Sequence, residues 1–190
     1  MKLIPRAARR GFSLLEIVIA VCVMAILAGV LVIRSGGILS SSKVSKTASL
    51  VNTLQTACTA FHADTGTMAY EYSGSTAPNR QLSGTQSMAG WKGPYLPEPL
   101  RTSGTNPFGG VAHLYNVVTA NGWITGFDTD GDGTEDVTGK GNMLYLSGME
   151  AGDAKSLNDV FDAGLPGAWE ATGKVRYVAA SKIVLVLVYF

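Results

Sequence analysis

Charge is scarce in this sequence: Asp, Glu, Lys and Arg make up 15% of its 190 residues, against about 25% in an average soluble domain. Acidic and basic residues nearly cancel, 14 against 15, a balance that supplies no nucleic-acid footprint. No nucleic-acid partner is expected. Two cysteines exclude a multi-disulfide scaffold; Cys22 and Cys58 read as small core residues, too far apart to pair within one chain. The two histidines, His62 and His113, have no Cys or His at metal-binding spacing. There is no nucleophile elbow, phosphate loop or zinc-protease motif, so the chain reads as a non-enzyme.

The little charge there is falls unevenly. Residues 1–11 hold Lys2, Arg6, Arg9 and Arg10 and no acid, and the 22 residues 12–33 hold one charge, Glu16, before Arg34. At about 1.5 Å per residue that run spans roughly 33 Å, enough to cross a bilayer core. The basic leader then stays cytoplasmic and sends the rest outward. The run ends in Val32-Ile33-Arg34-Ser35, which offers no small-x-small cleavage site, and a simple anchor has no need of an acid, which is expensive inside hydrocarbon and so points to function.

Arg10-Gly11-Phe12-Ser13-Leu14-Leu15-Glu16, between a basic leader and a hydrophobic run, resembles the class III signal of type IV prepilins and type II secretion pseudopilins. The resemblance implies cleavage by prepilin peptidase between Gly11 and Phe12, N-methylation at Phe12, and assembly of a helical homo-oligomeric filament. It also implies that the Glu16 carboxylate meets the Phe12 amine of a neighbouring copy, neutralising two charges that a filament core would otherwise bury unpaired. Its implied partners are the membrane, an inner-membrane assembly platform and minor pilins or pseudopilins. Many pilins have a proline where this chain has Ile33; Gly29 or Gly36-Gly37 would soften the helix instead.

Over residues 43–62 the apolar positions Val44, Ala48, Val51, Leu54, Cys58 and Phe61 recur at helical spacing. The expected helix, 12–62, measures roughly 76 Å and stops at Asp64-Thr65-Gly66, with Gly66 suited to a left-handed cap. Residues 73–90 read as a loop. Trp91-Lys92-Gly93-Pro94-Tyr95-Leu96 and Asn106-Pro107-Phe108-Gly109 resemble a paired stretch of the major pseudopilin of type II secretion, although Asn106 stands where Asp is commoner. Its prolines and glycines are expected to pin Trp91, Tyr95 and Phe108 against the helix. Strands are expected at 111–119 and 123–127, joined by an Ala120-Asn121-Gly122 hairpin, at 143–146, and in a closing hairpin of 175–179 with 183–190. The last of these has eight consecutive apolar residues, too few for a membrane helix, and reads as a strand buried on both faces.

Residues 128–136, Asp-Thr-Asp-Gly-Asp-Gly-Thr-Glu-Asp, place Asp128, Asp130, Asp132 and Asp136 at the carboxylate positions of an EF-hand-like loop, Gly133 at its sharp turn and Thr134 where a carbonyl ligates. These hard oxygens at this spacing suit Ca2+, and the carboxylates repel one another without a cation. Gly139 replaces the bidentate Glu, so the loop is closer to those of dockerins and thrombospondin-type repeats. Glu150 and Asp153 are candidates to complete it by proximity alone. Major pseudopilins bind calcium in the same region, which the resemblance extends here.

The expected architecture is therefore α+β, a pilin fold whose long spine helix packs on a small antiparallel sheet. It divides into a leader (1–11), a transmembrane or filament-core helix (12–35), an amphipathic half (36–66) and an extracytoplasmic head (67–190). Placement in a bacterial inner membrane, single-pass, goes with it. The expected function is a filament subunit most like the major pseudopilin. A type IV pilin for adhesion, twitching or DNA uptake, and a membrane-anchored calcium-binding protein that never polymerises, are the alternatives.

Overall fold

The structure, a computed structural model, describes residues 14–72, 79–100 and 104–190, with the side chains of 27–38 and 121 left out. Gly11 and Phe12 lie outside the described residues. Helix α1 (Leu14–Thr65) is followed by β1 (Ala112–Val117), β2 (Lys140–Ser147), α2 (Ala151–Phe161), β3 (Val175–Val178) and β4 (Ile183–Tyr189). The chain divides after Ser40 into two units.

In the first unit, Leu14, Leu15, Ile17, Val18, Ile19, Val21, Val23, Met24 and Ile26 are all exposed, as is Cys22. Among the described residues Cys22 is thus exposed rather than in a core, as are the apolar side chains on either side of it. Among the described residues no helix is long and apolar enough to cross a membrane. The helix carries Glu16 in its first turn, and a carboxylate is costly inside hydrocarbon. This corrects the expected membrane span and with it the single-pass placement in an inner membrane.

In the second unit α1 is amphipathic as expected. Val44, Val51, Leu54, Cys58 and Phe61 are buried, Ala48 is partly buried, and Thr47 and Ala57 join them; the Thr47 hydroxyl, sealed inside, donates to the Lys43 carbonyl at 3.0 Å. The helix ends at Thr65, and Gly66 caps it in the left-handed region (φ 70°), its N–H donating to the His62 carbonyl at 2.8 Å.

The stripe packs on a four-stranded antiparallel sheet of order β1-β2-β4-β3. Register places Ala112, Leu146, Val184 and Tyr177 in one row and Leu114, Leu144, Val186 and Val175 in the next, all facing the helix in one core. The opposite face carries Met143, Leu185 and Leu187 in a second core with Val118, Ile124, Phe127 and Val137. β4 lies between the two cores and is buried along nearly its whole length, as its unbroken apolar sequence requires.

Two local expectations fail. Residues 123–127 form no strand: β1 pairs with β2 instead, Ala120–Gly122 is a 3-10 turn, and Ile124 and Phe127 fold over the sheet rather than along its edge. Burial on the second face outweighs an edge pairing. Helix α2 was not foreseen; it buries Ala154, Leu157 and Asn158 against β3 within a mostly polar segment. The closing hairpin forms as expected, with Lys182 in the left-handed region (φ 52°).

The aromatic segment does meet α1. Tyr95 packs edge-on to Phe61 with centroids 5.6 Å apart and to Trp91 at 6.0 Å, and Lys43 stands over the Phe108 ring at 5.6 Å. Asp64 takes the Tyr95 hydroxyl and the Lys92 ammonium, both at 2.8 Å, which holds its carboxyl below the usual range. Asn106, nearly sealed, donates to the Ser147 carbonyl at 2.7 Å and accepts the Phe108 N–H at 2.9 Å. An amide can do both, whereas a carboxylate can only accept. Leu185 has no exposure, so Leu185→Ala is expected to cost about 2–5 kcal/mol, measured by denaturant unfolding; a loss under about 1 kcal/mol would show that the second core does not support the sheet.

Candidate metal centre

The acidic loop is carried over the second face of the sheet and closed at its neck by two buried side chains. Phe127 N–H donates to the Val137 carbonyl at 2.9 Å, and Asp136 and Val137 N–H both donate back to the Phe127 carbonyl, at 2.8 and 3.1 Å. Asp128, nearly buried, organises the turn: its Oδ1 accepts Gly131 N–H at 2.7 Å and its Oδ2 accepts Gly133 N–H at 3.0 Å. Gly131 (φ 82°) and Gly133 (φ 89°) lie in the left-handed region, and a Cβ at Gly131 would meet the Pro166 carbonyl at 2.6 Å. Glycine is required there on both counts.

The loop brings Asp128, Asp130 and Asp136 together, with one oxygen of each within 4.8 Å of the others. Asp136 also accepts the N–H and hydroxyl of Thr129, at 2.8 and 2.7 Å, and these hold its carboxyl below the usual range. Asp132 is not brought in: its carboxylate accepts Thr134 N–H at 2.7 Å, a local turn contact. Thr134 is exposed beside it. Glu150 is not brought in either, being paired with Lys182 at 2.6 Å, and Asp153 lies in the first turn of α2.

A cleft of about 340 Å³ opens beside the loop, walled by Asp128, Glu135, Thr172 and Arg176. Gly173 N–H donates to the Asp128 carbonyl at 2.7 Å, so the chain after Pro166 is tied to the loop. Arg176 donates to the Gly126 carbonyl at 2.7 Å and reaches Glu135 at 3.4 Å. Glu135, between the acids in sequence, therefore serves the wall rather than the cluster.

Among the buried polar residues that escaped the sequence reading are Glu71, Asp162 and Asn142. Glu71 is completely buried. Asp162, also buried, accepts Lys174 and Val175 N–H at 2.9 and 2.8 Å, and burial raises its carboxyl above the usual range. Asn142 donates to the Ala69 and Tyr115 carbonyls at 2.6 and 3.2 Å. Each stands alone among apolar or turn residues, and nothing in its spacing separates it from a solvated polar residue. The histidines sit away from the acids: His62 contacts the Tyr189 hydroxyl at 3.3 Å, and His113 packs among Tyr72, Tyr115 and Tyr145.

The Thr129 tether sets a measurable pH response. A carboxyl held low in the fold contributes stability above its ordinary range, which is lost as pH falls through the lowered value. Thr129→Ala is expected to move the Asp136 titration back up toward the ordinary range of about 3.9, followed by carboxyl NMR; an unmoved titration would mean that Thr129 does not hold it. Comparisons with protein-family models, with curated proteins and with solved structures give no match for this chain.

Proposed function

We propose that this chain is a structural subunit of a type IV pilus-like filament, with a pilin-type fold, most like the major pseudopilin of type II secretion. The observation that carries the reading is the exposed apolar surface of α1 over 14–26. A helix apolar on all sides works buried, and packing copies together removes that surface from water at about 25 cal/mol per Å². Glu16 stands in the first turn of α1, where the helix dipole favours an acid. In a packed bundle of such helices its carboxylate needs a cation, and cleavage between Gly11 and Phe12 creates one on every copy. The aromatic contacts of Trp91, Tyr95 and Phe108 support the pseudopilin form, because that segment is used as packing rather than as a ligand site.

In this reading the acidic loop holds Ca2+. Two oxygens on one Ca2+ at 2.3–2.6 Å lie at most about 5 Å apart, and the Asp128, Asp130 and Asp136 oxygens meet that limit. Bound there, the cation would neutralise their repulsion and tie the loop over the second core.

Glu16→Leu is expected to be cleaved normally and to form no filaments, read by intact mass and electron microscopy of material from native cells. Wild-type filament yield from that variant, or assembled chains beginning at Met1 instead of methylated Phe12, would overturn the assembly reading. Calcium at about 100 times its dissociation constant should add about 2.7 kcal/mol, or roughly 5–10 °C in melting temperature. An Asp130→Ala, Asp136→Ala variant should lose that gain; an equal gain in the variant would reject the site while leaving the filament reading standing.

A further inference from the structure

Glu71 is sealed inside the second unit with no exposure. Its backbone exchanges two hydrogen bonds with Leu114 of β1, at 3.0 and 2.9 Å. Its side chain turns to the neighbouring segment, where Oε2 accepts Leu82 N–H at 2.9 Å and Ser83 N–H at 3.3 Å and Oε1 is paired with the Ser83 hydroxyl. Leu82, itself fully buried, offers its carbonyl to Tyr95 and Leu96 N–H at 2.7 and 3.0 Å. One carboxyl therefore holds residues 82–83, which in turn hold the aromatic segment that packs on α1.

This cage serves either protonation state. Ionised, Glu71 takes the Ser83 hydroxyl proton as a hydrogen bond on Oε1. Neutral, it donates its own proton to the same Ser83 oxygen while Oε2 keeps both amides. Glu71 itself keeps all its contacts in the exchange, while the Ser83 hydroxyl turns from donor to acceptor; the other change is whether a charge is buried. Around it, α1 presents Cys58, β1 presents the apolar Leu114, and the held segment presents Arg80, whose charge acts on Glu71. Burial, together with Glu71, pushes the Cys58 thiol up to about 12, so Cys58 stays neutral throughout.

We propose that Glu71 is a proton-operated clasp: neutral, it closes the 80–83 segment and the aromatic segment onto the spine helix, and ionised, it loosens them. Burial raises the Glu71 carboxyl above its usual range against the opposing pull of its donors and of Arg80. Because the folded chain binds this proton more tightly than the unfolded chain, stability from Glu71 falls as pH rises from the ordinary carboxylate range through the raised value.

The test is carried out on the full chain labelled with 13C-glutamate, following the Glu71 carboxyl and the exchange protection of the Leu82, Ser83, Tyr95 and Leu96 amides between about pH 4 and 8. The carboxyl is expected to titrate above the ordinary Glu value of about 4.3, with protection falling about tenfold or more as it ionises. Glu71→Gln can keep the same hydrogen bonds, accepting both amides and donating to Ser83, and is expected to hold the acid-form protection at every pH. Asp162 titrates in both chains alike, so the difference between them isolates Glu71. Ser83→Ala, which removes a donor to the ionised form, is expected to shift the titration upward, and it decides the matter should Glu71→Gln fail to fold. A carboxyl titrating at or below the ordinary value, protection unchanged across its titration, a wild-type pH slope in Glu71→Gln, or an unshifted titration in Ser83→Ala would each overturn the proposal.

Discussion

β4 is an eight-residue apolar run reduced to a seven-residue strand, and it has no polar side to turn toward water. A strand of that kind demands cover on both faces, and left exposed it is an aggregation hazard. The amphipathic part of α1 covers one face through Val51, Leu54 and Phe61. The other is covered by residues with little regular structure, Val118, Ile124, Phe127 and Val137. The acidic loop exists where it does because it closes this second cover: its neck residues, Phe127 and Val137, are core residues. Packing of the sheet and placement of the candidate metal centre are thus one constraint seen from two ends.

Covering a sheet with irregular chain leaves many backbone amides and carbonyls without ladder partners, and buried ones must be satisfied. This protein meets the demand with buried polar side chains. Asp128 takes two amides of the loop, Asp162 takes two at the start of β3, and Glu71 takes two from the 80–83 segment. Asn106 and Asn142 satisfy carbonyls where strands end or slip register. The acids among them are held in burial against their preference for water, and for Glu71 and Asp162 that leaves the carboxyl raised. Stability and protonation are therefore linked outside the acidic loop as well.

Helix α1 has two characters in one element. Over 14–26 every side chain is exposed and all but Glu16 are apolar, and beyond Ser40 it carries a stripe with polar flanks. The second character is fully accounted for by the sheet. The first stays exposed among the described residues, and the proposed packing of copies would bury it.

Much of the fold could be read directly from the residues. Helical spacing from Val44 to Phe61, the Gly66 stop and the closing hairpin are local patterns, and local patterns survive folding because backbone geometry and side-chain periodicity are set within a few residues. The loop at 128–136 was equally legible as an acidic turn, since its glycines and aspartates act on neighbours in sequence. What the sequence could not decide was which elements meet. Residues 123–127 have strand composition, yet β2 takes the place beside β1 and they cover a face instead. Asp132 and Asp136 look alike in the motif, yet only Asp136 joins Asp128 and Asp130, its carboxylate turned back to Thr129 while that of Asp132 turns on to Thr134. Glu71 and Asp162 look like ordinary surface acids until the amides of distant segments close around them. Those choices depend on competition for burial and for hydrogen-bond partners between residues far apart in the chain, and that competition is settled only when the tertiary structure forms.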